Sequence, residues 1–282
     1  LKDKVRSIFI ELFDQGFEPE IAVIEDHSRA SFHFSEDPLP TLIQERHLVP
    51  EGKGYFAFGP LLADLVDAVE EKIKKIAFEM EAQSYRFPAL ISPAYLEKVK
   101  YFRNFPHSLC FVTHLREDID VIRKFSEHAS TDKGEVMAEG NAFSKVQAML
   151  SPTVCHHLYL MLADSIVPGV GMTATAFGNC FRYESVNMIS LERLWNFSMR
   201  EIIFVGTPDY IDDGLQRTQK CITGLLRELG LAYTVETATD PFFVGNYRDY
   251  AAYQTAFQLK QEVRAQLPYK NDSIAIGSYN RH

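Results

Sequence analysis

Arg182 and Glu184 are the residues whose types and spacing point most directly to chemistry. They stand two positions apart in a segment, residues 179–184, that is typical of a β-strand, so we predict that both side chains share one face. A guanidinium held there could bind a phosphate with its planar fork, while the carboxylate accepts a hydrogen bond from an amino group. The alternative is an exposed ion pair worth ~0–1 kcal/mol. The spacing alone leaves both interpretations open.

Glu201 is the second candidate, because it falls on an apolar strand face. On the strand predicted over residues 199–205, three apolar residues share that face: Met199, Ile203 and Val205. A carboxylate in such surroundings needs a cation, a hydrogen-bond donor or a proton. Zn²⁺ would satisfy it, and Cys155 is a chemically suitable co-ligand. A salt bridge with Arg200 or Arg193 is the alternative.

Two further motifs carry less information. His156 and His157 are adjacent, and on a strand they would point to opposite faces, so we expect at least one of them to be structural. Residues 169–174 match the dinucleotide-binding pattern G-x-G-x-x-A. That pattern requires a strand before it and a helix after it. Residues 175–181 are instead typical of a loop leading into a strand, so we exclude a dinucleotide site.

Composition and charge narrow the class of protein. The chain has 282 residues, of which 46% are hydrophobic and 24% charged, enough for one large domain or two small ones. Its net charge of −9 argues against a general nucleic-acid binder. No apolar run approaches the ~20 residues that span a bilayer, so we expect no membrane segment. The four cysteines are widely spaced without a C-x-x-C pair, which predicts a reducing, cytoplasmic location.

The elements that must position these residues indicate an α+β fold. Apolar residues spaced three and four apart predict helices over residues 60–83, 117–128, 212–229 and 251–265. Strands are predicted over residues 85–92, interrupted by Pro88, and over 179–184, 199–205 and 273–279. Because helices and strands do not alternate regularly, this pattern favours α+β over a doubly wound sheet.

Several stretches resemble one known family. Residues 179–184 (NCFRYE) and 191–201 (LERLWNFSMRE) look like motif 2 of the class II aminoacyl-tRNA synthetases, and residues 85–93 are similar to motif 1. In particular they resemble the amino acid:[carrier protein] ligases, relatives of the atypical, zinc-containing seryl-tRNA synthetases of methanogens. Other matching stretches are residues 151–156, 206–208, 239–243, 258–262 and 278–282. The resemblance implies an antiparallel sheet flanked by helices, with an N-terminal segment over residues 1–52 and a catalytic domain over 53–282.

The resemblance also implies a role for each matching position. Arg182 would hold the α-phosphate of ATP, and Glu184 would accept from the adenine amino group. Cys155 and Glu201 match two of three zinc ligands, with Glu201 also facing the substrate amino acid. The third ligand and the motif 3 segment are expected beyond His282. Further residues would bind ATP or line the adenylate pocket: Arg193, Leu194, Lys260, Glu262, Ser278, Tyr279, Asn280 and Arg281.

The activity that this resemblance implies has two steps. A small amino acid such as glycine, alanine or serine is activated with Mg²⁺ and ATP, then transferred to the phosphopantetheine thiol of a carrier protein. The length and the negative charge fit a synthetase core without a tRNA-binding part, so we expect no tRNA partner, and we expect a homodimer formed through the motif 1 region. Two alternatives stay open: a tRNA-charging enzyme similar to seryl-tRNA synthetase, and a non-catalytic pseudo-synthetase that acts as a binding or regulatory module.

Overall fold

The computed structural model describes residues 21–30, 34–184, 188, 190–240, 251, 254–255 and 257–282. The described chain divides into two compact units. The central unit spans Arg46–Thr207, and the terminal unit combines the described residues up to Glu45 with Pro208–His282. The division into residues 1–52 and 53–282 stays a prediction.

Strands and helices are interspersed along the described chain. The strands are β1 (Val23–His27), β2 (Leu48–Gly52), β3 (Tyr55–Phe58), β4 (Gln83–Tyr85), β5 (Leu90–Ile91), β6 (Phe111–Val112), β7 (Ser130–Asp132), β8 (Glu135–Met137), β9 (Ala148–Leu150), β10 (Gly171–Phe181), β11 (Asn196–Gly206), β12 (Tyr233–Thr237), β13 (Lys260–Leu267) and β14 (Asp272–Asn280). The helices are α1 (Leu39–Gln44), α2 (Pro60–Glu79), α3 (Pro93–Lys98), α4 (Tyr101–Asn104), α5 (Ile119–His128), α6 (Cys155–Leu162) and α7 (Pro208–Glu228). None of the helices that the structure describes is long and apolar enough to cross a membrane.

The periodic segments form the long helices, with ends set by local chemistry. Helix α2 begins at Pro60, whose fixed φ and missing N–H suit the first helical position. The Asp118 side chain caps α5 by accepting from the backbone N–H of Asp120 at 2.9 Å. Helix α7 stops before Gly230, which has a φ of +68°. The predicted helices over 60–83, 117–128 and 212–229 are thus confirmed, with shifted ends.

In the central unit, the β10–β11 hairpin is the main structural element. Its two strands are antiparallel and paired without interruption over eleven positions, and β4 joins β10 in parallel. One face of this hairpin is covered by α6, where Leu158 packs against Ala174 and Ile203. Three smaller sheets, β2–β3, β5–β9–β6 and β7–β8, complete the unit.

In the terminal unit, a sheet with the order β1–β12–β13–β14 is antiparallel throughout. Its core forms where Leu226 of α7 meets Tyr233, Val235 and Val263. Because side chains alternate along a strand, the charged residues between these apolar ones lie on the other face.

Parts of four predictions on secondary structure are wrong. Residues 260–265 belong to strand β13 and not to a helix over 251–265; Lys, Gln, Glu and Ala favour helices, but pairing on both sides with β12 and β14 overrides that propensity. His156 and His157 lie in α6 and not on a strand. The predicted strand over residues 85–92 is divided into β4 and β5 around Pro88. Residues 175–181 are strand throughout, within β10, and not a loop leading into a strand; no helix follows the G-x-G-x-x-A pattern, as the exclusion of a dinucleotide motif requires.

Candidate active site

Arg182 lies one residue beyond the end of β10, so the predicted strand over 179–184 stops earlier than expected. Its Nε donates to the Pro152 carbonyl at 2.9 Å, and its guanidinium carbon lies 5.4 Å from the centre of the Phe197 ring. Within the part of the chain that the structure describes, no carboxylate forms an ion pair with Arg182. The ion pair between Arg182 and Glu184 is therefore not formed, and the outer nitrogens of a fixed cation stay available for an anion.

Glu184 pairs instead with Arg193, across the loop that joins β10 to β11. The Arg193 Nε lies 3.2 Å from the Glu184 carboxylate, and both side chains remain partly exposed. Leu194, next in the chain, is half-buried. The resemblance to motif 2 assigns four residues to nucleotide binding, and all lie at the same end of the hairpin, where Glu184 and Arg193 are in contact: Arg182, Glu184, Arg193 and Leu194.

Aromatic contacts tie the two arms of this loop together. The Trp195 indole Nε1 donates to the Cys110 sulfur at 3.0 Å. The backbone carbonyl of Trp195 accepts from the Arg182 N–H at 3.0 Å. The Tyr183 ring packs edge-on against Trp195 with 4.8 Å between ring centres. These contacts fix the arms that carry the charged residues.

Cys155 and Glu201 lie together, beside the apolar core between α6 and the hairpin. Thr153 Oγ1 donates to Glu201 Oε1 at 2.5 Å and lies 3.3 Å from the Cys155 sulfur. Among the described residues, Glu201 Oε2 is buried without a hydrogen-bond partner. Burial, and next the Glu201 charge, raises the pKa of the Cys155 thiol to about 12. Without a cation the pair therefore holds a neutral thiol beside a carboxylate.

The salt bridges that would have explained Glu201 are not formed. Arg200, adjacent to Glu201 on β11, lies on the opposite face of the strand and pairs with Glu70 of α2. Its Nε lies 2.8 Å and 3.0 Å from the two Glu70 carboxylate oxygens. Arg193 is paired with Glu184. A half-buried carboxylate whose buried Oε2 has no partner among the described residues is suited to a cationic group.

The ligand types fit part of a zinc site. Thiolate and carboxylate are common Zn²⁺ ligands, and an orphaned buried oxygen marks where a cation would bind. Within the described ranges, however, no group of three His, Cys, Asp or Glu residues could hold a metal. Cys155 and Glu201, the two predicted ligands within the described residues, therefore do not form a complete site by themselves.

In the terminal unit, Lys260 and Glu262 are part of an alternating chain of charges on the face of the sheet opposite the Leu226 core. Lys260 Nζ lies 2.8 Å from Asp240 and 3.2 Å from Glu262. Arg264 lies 3.2 Å from Glu262 and 3.0 Å from Glu236, which stands directly opposite Glu262 across β12 and β13. Both oxygens of Glu262 are thus engaged by cations. A cavity of about 390 Å³ opens beside these residues, lined in part by Glu236, Glu262, Arg264 and three threonines.

The last predicted positions are divided between the two faces of the terminal sheet. Ser278 is paired with Glu262, and Asn280 with Lys260, so these residues share the charged face. Tyr279 lies on the other face and packs against the Leu226 core, and burial raises the pKa of its phenol. Arg281 pairs with Asp212 at 3.2 Å. The structure therefore does not bring Tyr279 together with Lys260 and Glu262.

Asp240→Asn is expected to destabilise the protein by about 2 kcal/mol at neutral pH, less than for a fully buried pair because Asp240 keeps a quarter of its side chain exposed. Burial alone would raise the pKa of Asp240, but the Lys260 charge and hydrogen bonds from Lys260 and Gln254 outweigh it, so the pKa lies below 3.8. With the folded pKa depressed, this stabilisation is full above pH 3.8 and is lost as the pH falls through the folded pKa.

Urea unfolding at a series of pH values measures this difference. Asp132→Asn, at an exposed position in β7, is the matched control and should change little. A loss in Asp240→Asn that stays constant well below pH 3.8 would contradict the assignment.

Comparison with solved structures identifies the fold. The seryl-tRNA synthetase of M. kandleri, solved with A. aeolicus tRNASec, superposes with a TM-score of 0.80 at 17% identity, over 99% of this chain and 59% of that one. The fold is therefore that of the class II seryl-tRNA synthetases, and the α+β prediction is confirmed. The chain spans less than two thirds of that solved structure. No family model matches the sequence.

The sequence relatives narrow the class further. The amino acid–[acyl-carrier-protein] ligase 1 of Bradyrhizobium diazoefficiens is 31% identical over 253 residues, which cover 87% of this chain and 74% of the relative. The type-2 serine–tRNA ligase of Methanocaldococcus jannaschii is 26% identical over 280 residues, about half of its own length. The chain belongs to the amino acid–[acyl-carrier-protein] ligase family.

Several residues at the site escaped prediction. Thr153 lies in a stretch that resembles the family, yet only its neighbour Cys155 stands out by chemical type. Asp240 lies in the matching stretch 239–243, but its pairing with Lys260 is seen only in the folded chain. Arg264 and Glu236 were missed because their pairing depends on the register of β12 and β13. Strand periodicity over residues 260–264 was the one signal that could have found Arg264.

Proposed function

We propose that this protein activates a small amino acid with ATP as an aminoacyl-adenylate and transfers it to the phosphopantetheine thiol of a carrier protein. One observation carries the proposal: the β10–β11 hairpin and the residue that follows β10 carry both an arginine without a carboxylate partner among the described residues and a carboxylate whose buried Oε2 has no hydrogen-bond partner among them. Arg182 suits the phosphate, and Glu201 suits the amino group. Membership of the ligase family supports the same chemistry.

In the first step, the amino acid carboxylate attacks the α-phosphorus of Mg·ATP and pyrophosphate leaves. Arg182 stabilises the charge that develops on the phosphate oxygens. Glu184, held by Arg193, accepts from the adenine amino group and orients the base. Nucleotide-binding roles for Leu194, Arg281, Lys260, Glu262, Ser278 and Asn280 rest on the family resemblance, and the last four of these share one face of the terminal sheet.

In the second step, the thiol sulfur attacks the adenylate carbonyl carbon. The bond from that carbon to the phosphate oxygen breaks, AMP leaves, and the thiol proton passes to solvent. Cys155 and Glu201 are the residues that would hold Zn²⁺, which when bound supplies an open coordination position for an amino group. Selection for an amine is expected in either case, since Glu201 Oε2 is a buried acceptor without a partner among the described residues.

Amino-acid-dependent pyrophosphate exchange tests this proposal. The complete protein is incubated with ATP, labelled pyrophosphate and glycine, alanine or serine, and glycolate serves as the matched acid without an amine. Exchange with at least one amino acid and none with glycolate is the expected result. No exchange with any amino acid would reject the proposal and favour the non-catalytic alternative.

We also propose that the protein is a homodimer, as predicted through the motif 1 region over residues 85–93, and that the apolar face of the preceding helix α2 takes part; Leu65→Asp is then expected to shift it to a monomer. Leu61 and Leu65, one turn apart on α2, are each 56% exposed, and Phe58 just before the helix is 43% exposed. A second copy would cover this apolar face, and a buried aspartate there would be costly. Sedimentation velocity measures the shift, with Leu229→Asp as control, since Leu229 is an exposed leucine elsewhere. A wild-type protein that sediments as a monomer at micromolar concentration would contradict it.

A further inference from the structure

The segment Ser151–Val154, between β9 and α6, is held rigidly in the central unit. Ser151, Pro152 and Val154 are buried. The Ser151 N–H donates to the Ala89 carbonyl at 2.8 Å, and the Ser151 carbonyl accepts from the Phe181 N–H at 2.9 Å. The Ser151 hydroxyl donates to the Thr153 carbonyl at 2.8 Å and closes the turn. Backbone bonds on both sides thus fix this segment against β5 and the end of β10.

Successive residues of this segment touch the two groups that the proposed function depends on. The Pro152 carbonyl accepts from Arg182 Nε at 2.9 Å. Thr153 Oγ1 donates to Glu201 Oε1 at 2.5 Å. One rigid turn therefore orients both the cation proposed for the phosphate and the carboxylate proposed for the amino group.

We propose that Thr153 is a positioning residue that sets the direction of the Glu201 carboxylate. By donating to Oε1, it leaves Oε2 as the acceptor for a cationic group. Oε2 is buried and lacks a partner among the described residues, so a cation there would gain a strong, charge-assisted contact. That cation is the substrate ammonium itself or a metal ion that binds the amine. The inference rests on the proposed function and adds a specificity residue to it.

The test compares three threonine variants. Thr153→Val removes the hydroxyl at nearly constant volume, whereas Thr153→Ser retains it. Thr218→Val is the matched control: Thr218 is a buried threonine of α7 whose hydroxyl has no partner among the described residues. If the valine variant does not fold, Thr153→Ala replaces it.

Binding and turnover are measured separately. Calorimetry gives the dissociation constants for glycine, alanine and serine, elemental analysis gives the zinc content, and exchange gives KM for ATP and for the amino acid. In Thr153→Val the hydrogen bond that orients the Glu201 carboxylate is lost. Amino acid binding should therefore weaken, and KM for the amino acid should rise about tenfold or more. KM for ATP should stay within twofold, and Thr153→Ser and Thr218→Val should behave like the wild type. A merely structural role would move both KM values together.

Treatment with a chelator distinguishes the two cations. A binding defect that persists in chelated protein identifies the substrate ammonium, whereas a defect accompanied by a fall in zinc content identifies a metal ion. Unchanged amino acid affinity and zinc content in Thr153→Val, or an equal defect in Thr153→Ser, would overturn the proposal. So would a wild-type protein that binds neither zinc nor any of the three amino acids. Binding without exchange in the wild type would instead reject the proposed function and leave the role of Thr153 measurable by calorimetry.

Discussion

Arg182→Ala is expected to slow amino-acid-dependent pyrophosphate exchange by at least about 100-fold, the usual loss when one preorganised donor to a developing negative charge is removed. Arg182 is held in place before substrate binds, by Pro152 on one side and the Phe197 ring on the other. Its cationic charge is not neutralised by any described carboxylate. The alanine variant therefore loses both the charge and its fixed position.

Two further variants distinguish a specific role of Arg182 from a general effect of positive charge on the rate. Arg182→Lys keeps the charge but cannot bind two oxygens as a planar fork, so we expect it to recover only part of the rate. Arg123→Ala is the matched control, because Arg123 of α5 is an exposed arginine in an ion pair with Asp120. The measurement is kcat/KM for ATP. A value for Arg182→Ala within threefold of the wild type would contradict the role of Arg182.

Glu201→Gln is expected to raise KM for the amino acid by about 100-fold or more, while KM for ATP changes little. The substitution keeps the shape of the side chain but removes the charge that would attract an amine at this place, and a lost contact to a buried charge costs ~2–5 kcal/mol. The selection against glycolate should fall at the same time. Exchange kinetics with glycine, alanine and serine measure both effects.

The same variant should not unfold the protein. Glu201 Oε2 is buried without a partner among the described residues, so the wild-type carboxylate costs more stability there than a neutral amide would. We therefore expect the Tm of Glu201→Gln to match or exceed that of the wild type. Glu97→Gln, at an exposed position in α3, is the control. A lowered Tm together with parallel increases in KM for ATP and for the amino acid would mean that Glu201 has only a structural role.

The sequence predicts the parts of this molecule that depend on local pattern. Helices α2 and α7 are predicted by apolar spacing, and Glu201 stands out because a charge interrupts an apolar strand face. Strand β13 was missed because its lysine, glutamine and glutamate favour a helix, and only its two neighbouring strands make it a strand. Such pairing is a property of the folded chain.

At the candidate site, too, the sequence identifies single residues but not the contacts between them. Residue type and spacing identify Arg182, yet not the Pro152 carbonyl that orients it, since a backbone acceptor has no sequence signature. The likeness to motif 2 includes Glu184 and Arg193 separately, and their mutual ion pair appears only once the loop closes. Thr153 was hidden for a comparable reason: a hydroxyl becomes a positioning group only when a carboxylate from a distant strand is brought to it.

Mass spectrometry of a carrier protein tests the central claim most directly. The complete protein is incubated with Mg·ATP, the amino acid that supports exchange, and a purified carrier bearing phosphopantetheine, with the carrier lacking phosphopantetheine and bulk tRNA as parallel acceptors. We predict that only the phosphopantetheine carrier gains the mass of one aminoacyl group, that hydroxylamine removes it as expected for a thioester, and that one AMP is released per loaded carrier. Exchange without loading of the carrier, or charging of tRNA in its place, would contradict the claim.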